Sequence, residues 1–171
     1  MPGLCLFAMR KGPFEFSRRR LDCSFDRCRL DLGLITTMAG PIEAPRFRGG
    51  CHCGRVAYEA RGMLGRAEQC NCSICTKKGY LHWIIPRENF RLLTPHEDLA
   101  TYTFNTGVAK HHFCPRCGVA PFYVPRSDPD KIDVNVRCLE GFDISALRLD
   151  HFDGRNWEAN IAGYKAKRDP R

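Results

Sequence analysis

The chain has 171 residues, and its 27 Lys and Arg residues against 19 Asp and Glu give a formal charge of +8. This length is sufficient for one hydrophobic core, so we expect one domain. No apolar run approaches the roughly 18 residues of a membrane span, and the first residues lack the pattern of a secretory signal. The composition therefore predicts a soluble, cytoplasmic protein without a membrane partner. The basic residues are scattered without interleaved aromatic residues, which disfavours nucleic acid as a partner.

Residues 1–45 differ from the rest of the chain. Arg18-Arg19-Arg20 and the isolated cysteines Cys5, Cys23 and Cys28 lie in a stretch with no sustained period of either a strand or a helix. We expect a poorly ordered extension here. Cys23 and Cys28 are a weak candidate for a further metal-binding pair, because no second cysteine pair remains to complete a site with four ligands.

From residue 46 onward, the alternation of polar and apolar residues predicts short strands. Asn105-Thr106-Gly107 offers a turn between two arms of a hairpin. Single helical turns are predicted at 72–78 and 143–147. We expect a mainly β domain over 46–160 with short antiparallel strands, followed by a polar, basic tail over 161–171. The predicted strands lie around 56–58, 83–85, 99–104, 109–113, 121–124, 133–136 and 147–152.

Seven of the 11 cysteines fall into three clusters. Thiols separated by one or two residues can reach the same zinc ion at about 2.3 Å. The two pairs, Cys51 with Cys53 and Cys114 with Cys117, predict a closed four-cysteine site of the structural kind. The triplet of Cys70, Cys72 and Cys75 predicts a second zinc whose fourth position is open to water or substrate. Disulfides are the weaker alternative, since such closely spaced thiols suit a metal better.

The fourth position of the triplet site is not determined by the spacing of the cysteines. Cys138, His82 or His112 would close it and make a second inert site. Cys138 has a further interpretation as a small buried side chain with no role in metal binding.

Six segments carry a resemblance to a known family. The segments are Gly50-Cys51-His52-Cys53-Gly54, 70–75, 102–106, 112–118, 135–139 and Asp153-Gly154-Arg155-Asn156-Trp157-Glu158. They resemble the glutathione-dependent formaldehyde-activating enzymes, whose domain is shared with centromere protein V. The resemblance covers about residues 46–160 and implies an Mss4-like β fold with two zinc ions.

The resemblance implies carbon-sulfur lyase chemistry, the reversible joining of glutathione to formaldehyde to give S-hydroxymethylglutathione. It assigns a structural zinc to Cys51, Cys53, Cys114 and Cys117, and a catalytic zinc to Cys70, Cys72 and Cys75. A small thiol such as glutathione is then the expected partner. Several side chains are candidates for supporting roles, although each also suits an ordinary surface or packing position. They are His82 and His112 as a base, Lys77, Lys78 and Arg126 for substrate carboxylates, and Tyr80 and Trp83 as covers of the site.

An interaction module related to centromere protein V, without turnover, is the competing hypothesis. The basic extension is short and only weakly charged, which disfavours a long electrostatic tether. The sequence does not indicate an oligomeric state.

A chain that begins at Met38 should fold and bind two zinc ions, because the preceding residues lack the apolar periodicity of a core element. Thermal unfolding and metal analysis of the shortened and full chains would check this. A marked drop in melting temperature would instead indicate that the extension contributes to the core.

Overall fold

The structure, a computed structural model, describes residues 43–168. Over these residues the chain forms ten short strands in two sheets and two α-helices, which confirms the predicted mainly β fold. The predicted extension over 1–45 lies almost entirely outside the described residues and stays a prediction. No helix within 43–168 is long and apolar enough to cross a membrane.

The smaller sheet has three antiparallel strands in the order β1-β2-β5. The larger sheet has the order β10-β3-β4-β9-β8-β7-β6. Its neighbours are antiparallel, apart from β10 and β3, which run parallel and so differ from the antiparallel prediction. The strands are β1 (Arg46–Gly50), β2 (Ala57–Arg61), β3 (Arg66–Cys70), β4 (His82–Pro86), β5 (Phe90–Leu92), β6 (Ala100–Tyr102), β7 (Lys110–Phe113), β8 (Phe122–Val124), β9 (Lys131–Asn135) and β10 (Arg148–Phe152).

The pairing of β4 with β9 lies in the middle of the larger sheet and extends over five residue pairs. Successive side chains of a strand point to opposite faces of its sheet. Accordingly, Trp83 and Ile85 of β4 belong to the main hydrophobic core, whereas His82 and Ile84 line a cavity on the other face. One strand therefore serves both the core and the cavity.

Two α-helices accompany the sheets. The short helix α1 (Ser73–Lys78) follows β3 and ends at Gly79, whose backbone is left-handed with φ of 63°. It agrees with the helical turn predicted at 72–78. The longer helix α2 (Trp157–Arg168) has no counterpart in the sequence prediction, which treated residues from 161 onward as a tail. Ile161 to Arg168 instead continue this helix.

Specific contacts hold α2 against the domain. Tyr164 packs on Phe152 at the end of β10, with 4.8 Å between ring centroids. Near the end of the helix, Arg168 donates two hydrogen bonds of 3.0 and 2.7 Å to the buried carboxylate of Asp128. Burial alone would raise the pKa of Asp128, but hydrogen bonds from Arg168 and Ser127 hold it well below its usual range. A charged carboxylate therefore anchors the helix.

Replacing Asp128 with Asn should lower the free energy of unfolding by about 1.5–3 kcal/mol, the usual value of hydrogen bonds to a charged group. Because the folded-state pKa is depressed, this stabilisation is present at neutral pH and is lost as the pH falls through that low pKa. Denaturant unfolding at pH 7, with amide exchange of α2, would measure the effect. The matched control is Asp130→Asn, an exposed carboxylate in the same turn, and equal effects of both variants would refute the anchor.

Candidate metal centres and active site

The first cysteine group joins the turn after β1 to the turn after β7. The sulfurs of Cys51, Cys53, Cys114 and Cys117 all lie within 4.8 Å of one another. Cys53 Sγ is 3.7 Å from Cys51 Sγ and 3.6 Å from Cys114 Sγ. Zinc-sulfur bonds of about 2.3 Å in a tetrahedron place neighbouring sulfurs about 3.8 Å apart. The measured distances suit that shell, whereas disulfides need about 2.0 Å, and all four cysteines are free.

The two turns also supply backbone donors to these sulfurs. The Val56 amide donates to Cys51 Sγ at 3.2 Å. A hydrogen bond from the Val119 amide is the main reason that the pKa of Cys117 is lowered to about 6. Gly54 and Gly118 have φ of 76° and 74°, which lets both turns close tightly. Amide donors favour the thiolate, the form of cysteine that binds metals.

The second cysteine group lies where β3 passes into α1. Cys70 ends β3, Cys72 immediately precedes α1, and Cys75 is buried within it. Hydrogen bonds from Cys70 and Cys75 lower the pKa of Cys72 to about 2, while the bond with Cys72 raises the pKa of Cys70 to about 11. Hydrogen bonding within the triplet therefore favours the thiolate of Cys72 over that of Cys70, and adjacent thiolates repel each other unless a cation balances them. This donor set fits a soft divalent metal such as zinc.

The structure brings His82, one of the three predicted candidates, to this triplet. One ring nitrogen of His82 and the sulfurs of Cys70 and Cys75 lie within 4.8 Å of one another. Nδ1 of His82 lies 2.8 Å from Asp133 Oδ2, and Nε2 is buried without a hydrogen-bond partner. Desolvation opposes protonation of this ring, but the Asp133 carboxylate outweighs it and the pKa of His82 is raised.

The other two candidates for closing the triplet lie elsewhere. Burial is the main reason that the pKa of Cys138 is raised to about 11. The next residue, Leu139, forms a β-bridge with Gly49, two residues before Cys51. His112 lies 2.9 Å from Thr101 Oγ1 through its Nδ1, and packs on Phe122. Neither belongs to the group of potential ligands around Cys70 and Cys75.

A cavity of about 530 Å³ opens at the triplet. Its walls include Cys70, Cys72 and Cys75, the hairpin tip at 104–106 and residues from 154 to 164. His111 also lines it and stacks on Tyr123 at 4.8 Å. Burial lowers the pKa of His111 to about 4, so its imidazole is neutral at pH 7. The predicted candidate His112 is the next residue of β7, and the alternation along this strand allows only one of the two histidines to face the cavity.

The segment after β10 covers the triplet closely. Asn71 accepts a hydrogen bond of 3.0 Å from the Arg155 amide and donates one of 2.9 Å to Asp153. Between these contacts lies Gly154, where a Cβ atom would overlap Cys70 Sγ and stand 3.0 Å from Cys72 Cβ. Only glycine allows this approach. The sequence motif over 153–158 therefore marks a wall of the cavity.

The predicted cations separate into two groups. Arg126 lines the cavity, with its guanidinium 3.8 Å from the centroid of the Trp157 ring, and forms an ion pair with Glu158. Arg155 lines the cavity as well and was not among the predicted cations. In contrast, Lys77 is exposed outside the cavity lining, and Lys78 lies over the Phe113 ring at 5.4 Å.

Only one of the two aromatic residues predicted to cover the site lies beside it. Tyr80 is buried and stacks on His82 with 5.4 Å between ring centroids. Trp83 instead packs edge-on against Phe47 in the main core. Tyr80 thus supports the histidine beside the triplet, and Trp83 does not contribute to the site.

These features define a β domain with two cysteine-rich groups suited to metals, one closed within the fold and one beside a cavity. The sequence profile of the glutathione-dependent formaldehyde-activating enzymes matches residues 46–152, and the chain belongs to this family. It is also similar to a structural-genomics crystal structure of a Rhodobacter sphaeroides protein. That similarity has 33% sequence identity and a TM-score of 0.55, and covers 60% of this chain and 99% of the other. The profile ends before α2 begins.

Replacing Gly154 with Ala should disturb the triplet without unfolding the domain, because the added methyl group collides with Cys70 Sγ. We expect the variant to lose one of two bound metal ions while its far-ultraviolet circular dichroism stays near wild type. Gly163→Ala is the matched control, since nothing lies within 4 Å of its added Cβ, and this change should be neutral or stabilise α2 by up to about 1 kcal/mol. Full metal content in Gly154→Ala would contradict the close packing described above.

Proposed function

We propose that this protein is a zinc-dependent carbon-sulfur lyase that acts on a thiol-aldehyde adduct such as S-hydroxymethylglutathione. The observation that carries the proposal is the position of Cys70, Cys72 and Cys75 at the wall of a cavity of about 530 Å³. This volume lies within the usual range of small-molecule sites, about 300–1,000 Å³. Membership of the family supports glutathione and formaldehyde as the chemistry of the site.

We assign two zinc ions to the chain, one for each cysteine group. Cys51, Cys53, Cys114 and Cys117 would hold the structural ion, since four thiolates complete its shell. Cys70, Cys72 and Cys75 would hold the catalytic ion. When bound there, zinc would supply a deprotonated, nucleophilic substrate thiolate at neutral pH. The free cysteines among the described residues suit a reducing compartment, and we propose the cytoplasm.

The proposed reaction requires only a thiol, an aldehyde and the movement of one proton. In the direction of synthesis, the thiolate sulfur forms a bond to the formaldehyde carbon, and the carbonyl oxygen takes up a proton. In the reverse direction the carbon-sulfur bond breaks, the hydroxyl proton leaves and the carbonyl is restored. No oxidant or reductant takes part.

The chain offers cations for the carboxylates of a glutathione-type substrate. Arg126 and Arg155 line the cavity, and the guanidinium of Arg126 is already oriented by its stacking on Trp157. A substrate carboxylate would replace the exposed Glu158 as the partner of Arg126, so little reorganisation of the arginine is needed. We propose Arg126 as the principal carboxylate-binding residue of the cavity.

Replacing Cys75 with Ser should abolish any acceleration of adduct formation or breakdown, because the triplet no longer holds its metal. The variant should retain one zinc ion and its β structure, since the four-cysteine group is unchanged. Cys138→Ser is the matched control, as this thiol lies outside the triplet. Exchange of formaldehyde with the glutathione adduct, followed by nuclear magnetic resonance, measures both directions.

Wild-type activity in Cys75→Ser would overturn the proposal. Absence of acceleration and of thiol binding in wild-type protein with two zinc ions would also overturn it. The latter result would favour the interaction module related to centromere protein V.

A further inference from the structure

We propose that His82 is the fourth protein ligand of the metal at the triplet, that Asp133 orients it, and that an incoming thiol replaces it. This inference rests on the metal site of the proposed function. It changes the interpretation of that site, because the position that receives substrate is then filled by a side chain in the resting protein.

The position of the His82 ring beside the cysteine sulfurs suits a metal ligand. A ring nitrogen of His82 lies within 4.8 Å of the sulfurs of both Cys70 and Cys75. Nδ1 faces the Asp133 carboxylate at 2.8 Å, so Nε2 is the nitrogen left for a metal. Cys72 is not one of these three mutually close residues, but its amide donates to Cys70 Sγ at 3.5 Å and it lines the same cavity, so we assign it as the remaining ligand. Three sulfurs and one nitrogen are a common tetrahedral zinc shell.

Packing alone does not account for this histidine. The ring is 5% exposed and lies between Tyr80 and Tyr123, which explains why it is buried. Those contacts provide no partner for Nε2, a polar atom that is fully enclosed. Buried polar atoms rarely lack a partner, and a coordinate bond would supply one.

The partnership with Asp133 is typical of a metal-bound histidine. Such a ligand usually donates its other ring N–H to a carboxylate, which fixes the ring orientation and its tautomer. Asp133 is 1% exposed, and its Oδ2 lies 2.8 Å from Nδ1 of His82, with the Tyr123 hydroxyl 3.5 Å from the same nitrogen. The β4–β9 register brings the two residues together from neighbouring strands.

Charge favours exchange of His82 over exchange of a cysteine. Three thiolates and one zinc ion carry a net charge of −1, and a neutral imidazole leaves it unchanged. When a thiol replaces the imidazole, the metal-nitrogen bond breaks, a metal-sulfur bond forms and the thiol proton is released to solvent. The imidazole is the only uncharged member of this ligand set and therefore the weakest held by electrostatic attraction.

The test uses full-length protein loaded with cadmium-113 and labelled with nitrogen-15 histidine. We expect a direct cadmium-nitrogen coupling on Nε2 of His82, assigned through its bonds to the backbone, and loss of that coupling when glutathione is added. The four-cysteine group gives a second cadmium signal without nitrogen coupling and serves as an internal control. His82→Gln should remove the coupling, and His112→Gln should keep it.

Asp133→Asn adds a readout that does not depend on His82 variants folding. It should weaken zinc binding at the triplet by about 10- to 100-fold and leave the four-cysteine group unchanged. Absence of coupling on His82 in wild-type protein with both metals bound would overturn the inference, even if thiols bind. If the cadmium-nitrogen coupling persists with excess glutathione, the exchange is refuted, and the result also counts against the lyase. If the coupling is lost when a thiol is added but no catalysis is observed, only the lyase is refuted.

Discussion

The register between β4 and β9 is the constraint on which the site depends. It aligns His82 with Asn135 and Ile84 with Asp133 across the centre of the larger sheet. A slip of one residue would move every side chain of β4 to the opposite face. His82 would then enter the hydrophobic core, and Trp83 would enter the cavity. The core therefore enforces the position of the histidine, because burial of Trp83 and Ile85 is possible in only one register.

Asn135 strengthens this constraint from within the sheet. Its side chain accepts hydrogen bonds from the amides of Leu81 and Arg137 and donates one to the Ala120 carbonyl. These bonds tie the segment before β4 to the end of β9 and to the approach to β8. An enclosed amide with three hydrogen bonds fixes a backbone geometry in a way that apolar contacts cannot. The hydrogen-bonded strands β4 and β9 thus form one side of the site, whereas the segment after β10 and helix α2 form another wall.

Cysteines one or two residues apart are brought together by a single turn, and the structure groups Cys51, Cys53, Cys114 and Cys117, and Cys70 with Cys75. Their assignment as metal ligands stays a prediction. The identity of His82 as the neighbour of the triplet depends instead on pairing between strands distant in sequence, and local patterns do not encode that register. For the same reason Cys138 remained an open candidate until the structure left it outside the group of Cys70, Cys75 and His82.

Helix α2 was not predicted from the sequence, for a different reason. Its sequence is largely polar, and none of its residues is fully buried, although Trp157, Ile161 and Tyr164 recur at helical spacing. Its position depends on individual contacts such as Tyr164 with Phe152 and Arg168 with Asp128. Strand β3 was missed on similar grounds, since Arg66-Ala67-Glu68-Gln69-Cys70 shows little of the alternation typical of strands. Tertiary contacts override weak local preferences in both elements.

The bond between Asn71 and Asp153 spans 82 positions of the chain, and this separation has a consequence for biosynthesis. Ribosomes add about 5–20 residues per second, so several seconds pass between the emergence of the triplet and that of the wall that covers it. During this interval the three thiols are accessible to metal carriers and to oxidants alike. Maturation of the site therefore has an order imposed by the direction of translation, with the cysteines presented first and the enclosing segment added afterwards.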